Sequence, residues 1–251
     1  MSSQKSYSTI EAKSFIERAG LYIVKDAEDR SNDGKEKESR RDVGKGEQFA
    51  QFYNNGYLTK TPEGLEFVYQ NTIGDKEIGP IVLSIIKQPR WGYSRYFSTL
   101  LSADYAWFFH NHNEKIEHEP IHTLVVQFWL PGSRVVFYEG SQLQFFDAKE
   151  DRDNYGVLNT HRSNMYRKGI VWTEKDMPNG GYTIIDSRIG WTYEKGGGFM
   201  NIALGEDGEV QNWGNMELPD TQALRAKVAE LESRGFSTRF VYINYEKQRK
   251  A

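Results

Sequence analysis

A mainly β fold, a barrel or sandwich with helices at both ends, is what this sequence predicts, on three observations. Short apolar, β-branched or aromatic runs recur between turn residues from about Leu65 to Leu204. The strongest two, residues 123–130 and 134–138, flank Pro131-Gly132-Ser133, a turn between neighbouring strands. Helix signals stand on either side, at Ser8-Thr9-Ile10-Glu11 and after Asp220.

Taken in order, the capping-box spacing at Ser8 starts a helix that runs to Ala19 with Ile10, Phe15 and Ile16 inward, and Gly20 stops it. Residues 21–24 make a short strand. Residues 26–46 contain DRSNDGKEKESRRD and almost no apolar side chain, so they are expected to form a mobile surface loop. Asn54-Asn55-Gly56 and Thr61-Pro62-Glu63-Gly64 read as turns. Residues 65–71 alternate partly and 81–86 form a compact apolar run, so both are expected as strands. The aromatic stretch 93–109 fits helix or strand equally. Residues 169–173, 182–186 and 199–204 are further strands, the last two following Gly180-Gly181 and Gly196-Gly197-Gly198. Asp220 caps a helix to Arg234 whose inner face is Leu224, Val228 and Leu231. Residues 236–245 return as a strand. With no linker or repeat, the 251 residues are expected to form one domain.

Composition narrows the function. The net charge is −3 with no concentrated basic face, so no nucleic-acid partner is expected. No apolar run approaches the roughly 18 residues of a membrane span, and the N-terminal stretch lacks an apolar signal core, so a soluble cytoplasmic protein is expected. There is no cysteine, which excludes disulfides, thiolate nucleophiles and cysteine metal sites. The 14 % aromatic content suits strands and a pocket for a flat, apolar small molecule.

Four of the five histidines fall in His110 to His122. His112-Asn113-Glu114 places an imidazole and a carboxylate two residues apart, which on an extended segment turns them to one side, as two ligands of an iron triad require. His110 and His112 share that spacing. The only later histidine is His161, in a polar segment. Asp186-Ser187-Arg188, at a strand end, offers either an ion pair or a two-point grip on a substrate carboxylate. Gly196-Gly197-Gly198 lacks the strand-to-helix setting of a phosphate loop and reads as a hairpin turn.

Two patches carry a resemblance. LPGSRVVFYEGS, from Leu130 to Ser141, and GYTIIDSRIGW, from Gly181 to Trp191, resemble the double-stranded β-helix (jelly-roll) proteins of the phytanoyl-CoA dioxygenase-like superfamily, within the cupin and 2-oxoglutarate-oxygenase group. The likeness spans roughly residues 107–204. It implies a jelly-roll barrel, and it places the iron-binding His-x-acid pair at His112 and Glu114. It also places the distal iron-binding histidine near Trp191, an indole, and the arginine for 2-oxoglutarate in residues 199–204, where there is none. The resemblance therefore implies a barrel without the usual iron machinery: a small-molecule binder or a cofactor-free enzyme of cyclisation or isomerisation type, of a fungal kind and beside a biosynthetic pathway. His110 and His112 are the expected acid–base pair, and Arg188, Trp191, Trp129 and Asp186 the expected substrate contacts. No metal or cofactor is expected. The alternatives are an oxygenase using Fe(II) and 2-oxoglutarate through His112, Glu114 and a third ligand, and a non-catalytic binding protein.

Overall fold

The computed structural model describes residues 8–26, 44–56, 59–97, 101–111, 119–150 and 156–244. Most of the expected charged loop, and with it His112, Glu114 and His118, lies outside these residues.

Helix α1 (Thr9–Ala19) begins and ends as its sequence predicts. Ser8 accepts from the Glu11 N–H, the Glu11 carboxylate accepts from the Ser8 N–H, and Gly20 closes the helix at φ 82°. Ile16 is buried, but Ile10, expected inside, is 80 % exposed. Strand β1 (Leu21–Lys25) follows, then three helices, α2 (Lys45–Asn54), α3 (Pro62–Gln70) and α4 (Ile78–Ile85). The last two correct the expectation of strands at 65–71 and 81–86. Thr61 caps α3, accepting from the Gly64 N–H, and Pro62 takes the first helical position, where its missing N–H costs nothing. Ahead of α4 the N-cap Glu77 makes no side-chain cap bond, but Asp75, two residues earlier, accepts from the Glu77 and Ile78 N–H groups.

The strands come next: β2 (Arg90–Phe97), β3 (Tyr105–Phe108), β4 (Thr123–Trp129), β5 (Ser133–Glu139), β6 (Lys149–Glu150) and β7 (Leu158–His161). Helix α5 (Arg162–Arg167) leads to β8 (Val171–Met177), β9 (Gly181–Asp186), β10 (Gly190–Lys195) and β11 (Phe199–Gly205). The chain closes with α6 (Asp207–Val210), β12 (Met216–Pro219), α7 (Gln222–Ser233), β13 (Ser237–Thr238) and β14 (Phe240–Ile243). Leu224, Val228 and Leu231 are the buried face of α7, as expected, but Thr221 rather than Asp220 caps it.

Two sheets face each other. One runs β1-β9-β4-β11-β2-β13 and the other β6-β7-β3-β10-β5-β8. From β2 to β5 and again from β8 to β11 consecutive strands alternate between them, so β4 crosses to β5 and β9 to β10, which is jelly-roll winding. Alternate residues of each central strand enter different layers. In β4, Leu124, Val126 and Phe128 pack outward with α1–α4 and α7, while Val125 and Trp129 point between the sheets. Ala106, Phe108, Val136 and Tyr138 form a third layer outside the second sheet, under Phe146, Met165 and Ile170. Strands β4, β9 and β11 are thus buried on both faces, which accounts for their unbroken apolar character. Gly46 sets how closely α2 approaches this sheet, because a Cβ there would stand 2.5 Å from the Gly181 nitrogen.

Candidate ligand site inside the barrel

The end of the barrel where β3 leaves and β10 begins is held by the β9–β10 turn. The Ser187 carbonyl accepts from both Phe109 N–H and His110 N–H, at 3.0 Å each, and the Ser187 N–H donates to the Thr123 carbonyl. This ties three strand ends together at the position of the histidine rim. Arg188 lies at the tip, only 6 % exposed. Its Nε and Nη2 donate to the two Asp186 carboxylate oxygens at 2.9 and 2.7 Å, and Nη1 donates to the Glu119 carbonyl and carboxylate at 3.0 and 3.1 Å. Burial alone would lower its proton affinity, but the hydrogen bonds and charges of Asp186 and Glu119 reverse that and hold the guanidinium above its ordinary range. All three guanidinium nitrogens are thereby engaged inside the protein, as an ion-paired clamp on the turn.

His110 is exposed on the rim beside this clamp, whereas His112 and Glu114 lie outside the described residues. The other described histidines are engaged elsewhere. His122 Nδ1 pairs with Glu206 at 2.8 Å on the surface, and His161 caps α5, accepting from the Ser163 N–H. Among the described residues, no group of three or more His, Asp or Glu side chains is placed to hold a metal ion.

Trp191 and Trp129 both lie between the sheets and are fully buried. Trp191 has Phe109 stacked against it, centroids 6.2 Å apart, and Phe199 edge-on at 5.2 Å. Trp129 stacks on Phe199 at 4.8 Å, and Phe199 on Phe97 at 4.9 Å. Aromatic rings therefore line the interior from both sheets.

A polar row crosses this aromatic interior. In register across β9, β4 and β11 stand Thr183, Gln127 and Asn201, each fully buried, and Arg95 of β2 faces Asn201. Trp129 Nε1 donates to Thr183 Oγ1 at 3.2 Å, Thr183 Oγ1 donates to Gln127 Oε1 at 2.9 Å, and Gln127 Nε2 donates to Asn201 Oδ1 at 3.1 Å. An indole N–H can only donate, so Thr183 Oγ1 accepts from it and gives its own hydroxyl hydrogen to Gln127 Oε1. Asn201 Nδ2 is left at the end, buried and without a hydrogen-bond partner; Trp191 Nε1 is in the same condition. Arg95 lies over the Phe97 ring, its Cζ 5.0 Å from the centroid. Burial pushes the nearby Tyr93 phenol well above its ordinary range, with the Arg95 charge and hydrogen bond acting the other way.

Sequence reasoning missed Gln127, Thr183, Asn201 and Arg95. The signal available was a lone amide in the middle of TLVVQFW and of FMNIALG. Its meaning depends on cross-strand register, which the sequence does not show. A separate open groove of about 540 Å³ lies outside the barrel, lined by α2 and α3 with Lys227 of α7. Its Glu66 is already paired with Lys227 and Arg234, and it contains none of the interior row.

No family model and no curated protein matches this chain. Solved structures do. HygX from Streptomyces hygroscopicus with iron bound aligns over 96 % of this chain and 99 % of its own, at TM-score 0.51 and 10 % identity. HygX with nickel, 2-oxoglutarate and hygromycin B bound aligns over 94 % and 98 %, at 0.47 and 12 %. SnoK, a non-heme alpha ketoglutarate dependent carbocyclase from nogalamycin biosynthesis, aligns over 81 % and 90 %, at 0.46 and 14 %. The two facing sheets, their alternating strands and the likeness to iron-bound HygX agree: this chain has the double-stranded β-helix fold.

Proposed function

We propose that this protein is a single-domain barrel that binds a small molecule between its two sheets and acts on it without a redox cofactor. The observation that supports this most is the buried polar row inside an aromatic interior. A core that only packs has no use for a relay ending on an unpaired amide, because each such group costs about 1–3 kcal/mol when buried without a partner. Trp129 and Trp191 are the apolar walls, and Asp186 and Arg188 act by holding the mouth closed around Glu119 and the β9–β10 turn. His110, with His112, is the acid–base group for an isomerisation or cyclisation, in which a proton moves between substrate atoms and no electrons are exchanged. The partner is the small molecule; neither nucleic acid nor membrane enters. Among the described residues no helix is long and apolar enough to cross a membrane.

An oxygenase using Fe(II) and 2-oxoglutarate is the second reading, favoured by the likeness to iron-bound HygX. The described residues do not fit that group: Trp191 occupies the position that the resemblance assigns to the distal histidine, and Phe109 is stacked against it. His112 and Glu114 would need a third ligand from elsewhere.

Anaerobic purification with added Fe(II), followed by metal analysis, separates the two. We expect less than stoichiometric iron, unchanged by His112→Ala, together with binding of flat aromatic probes that is lost when the interior is filled by Ala203→Leu. Stoichiometric iron lost on His112→Ala, with turnover of 2-oxoglutarate, would overturn our proposal.

A further inference from the structure

We propose that Asn201 Nδ2 and Trp191 Nε1 together seat an oxygen acceptor, a carbonyl or carboxylate, carried by a flat and otherwise apolar ligand. This rests on the proposal that the barrel interior is the ligand site. It adds which atoms bind and what the ligand must present to them.

Both donors neighbour Phe199, Asn201 along β11 and Trp191 from the facing sheet. Asn201 stands on β11 between Phe199 and Ala203 on the inner face, and in register its neighbours are Gln127 and Arg95. Trp191, from the opposite sheet, touches Phe199 edge-on and stacks with Phe109, which is edge-on to Tyr93. Tyr93 is the cross-strand partner of Ala203. Phe199, two residues from Asn201 on the same face of β11, is therefore the ring next to both donors.

Turning over does not satisfy the row. Flipping the Asn201 amide would set its NH₂ against Gln127 Nε2 unless Gln127 turned too, and Thr183, then accepting from both Gln127 and Trp129, would lose the Gln127 oxygen to which its hydroxyl donates. The indole of Trp191 is a donor in any rotamer. Asn201 Nδ2 and Trp191 Nε1 thus remain two buried donors with no hydrogen-bond partner among the described residues. An oxygen has two lone pairs and fits both. Arg95, one strand along in the same row, adds positive charge on the inner face and favours a carboxylate or a polarised carbonyl. The remaining walls, Trp107, Trp129, Phe137 and Phe199, present rings, which suits a planar body.

Naphthoate and naphthalene make the test, since they share the planar body and differ in the oxygens. Binding is followed by the indole N–H resonances of the six tryptophans, with Trp191→Phe assigning its own signal. We expect naphthoate to bind at least about tenfold more tightly than naphthalene, the worth of one good hydrogen bond. The Trp191 signal should move downfield with naphthoate and not with naphthalene. Asn201→Asp, which swaps the donor for a charge, should remove the tenfold preference while naphthalene still binds. Equal affinity for the two probes, or an unmoved Trp191 signal, would overturn the donor pair and leave the barrel as a ligand site. Failure of both probes to bind the unaltered protein would overturn the barrel site as well. Because the comparison of probes uses the unaltered chain, it stands even where a variant does not fold.

Discussion

Phe109 stacks on Trp191, centroids 6.2 Å apart and planes 27° from parallel, across the gap between the end of β3 and the start of β10. The pair joins the exposed histidine rim to the buried interior. It also puts a ring against the indole that stands where the resemblance expects an iron-binding imidazole. Trp191→Ala should therefore cost about 3–5 kcal/mol of unfolding free energy. Trp191→Phe should cost much less, because it keeps the ring and removes an N–H that has no acceptor in the ligand-free protein. Urea denaturation of both variants checks this; equal losses would show that the indole N–H is paired after all.

The clamp at the mouth predicts a large single-residue effect. Arg188→Met should destabilise by about 3–5 kcal/mol, since it strands the buried Asp186 carboxylate and the partly buried Glu119 beside it. The effect should vary little between low and high salt, because buried pairs are poorly screened. A loss below about 1 kcal/mol, or one that vanishes in salt, would mark the pair as a surface interaction.

The relay predicts non-additivity. Gln127→Leu alone strands the Thr183 hydroxyl and Asn201 Oδ1, and should cost about 1–3 kcal/mol for each stranded group. Combined with Thr183→Val and Asn201→Leu, much of that loss should return, because the Trp129 N–H is then the one member of the row left without its partner. Denaturation of the single and combined variants measures the coupling. Simple addition of the losses would show that the three residues do not act as one network.

Much of the fold was legible because it is written in local patterns. The Ser8 capping box, the Gly20 stop, the strands around Pro131-Gly132-Ser133 and the inner face of α7 all stand where the sequence places them. Helices α3 and α4 were misread because a short apolar run fits strand and helix alike. What decides is the start signal: Thr61-Pro62 is a cap followed by a first-turn proline, and Asp75 accepts from the first N–H of the run that begins at Ile78. The candidate site was less legible. The histidines and Arg188 drew attention because of their type, yet Arg188 is held by its own neighbours. Gln127, Thr183 and Asn201 become a unit only once β9, β4 and β11 are paired in register.

Asp26 predicts a pH effect. Its carboxylate accepts from the Lys45 and Gly46 N–H groups at the start of α2, and burial, the largest influence, raises its proton affinity above the ordinary value of 3.8. A folded value above the unfolded one means that protonation favours the fold. The stability of the unaltered protein relative to Asp26→Asn, which does not titrate, should be greatest below pH 3.8 and fall as pH rises through the raised value. Above that it should be level. Urea midpoints of the two proteins across the acid range test the sign; a difference that grows with pH would contradict it.

A crystal structure of the protein grown with naphthoate tests the central claim most directly. We predict the planar body between the two sheets, with a carboxylate oxygen within hydrogen-bond distance of Asn201 Nδ2 and Trp191 Nε1. Naphthoate bound only outside the barrel, with the interior closed around Trp129, Trp191 and Phe199, would contradict it.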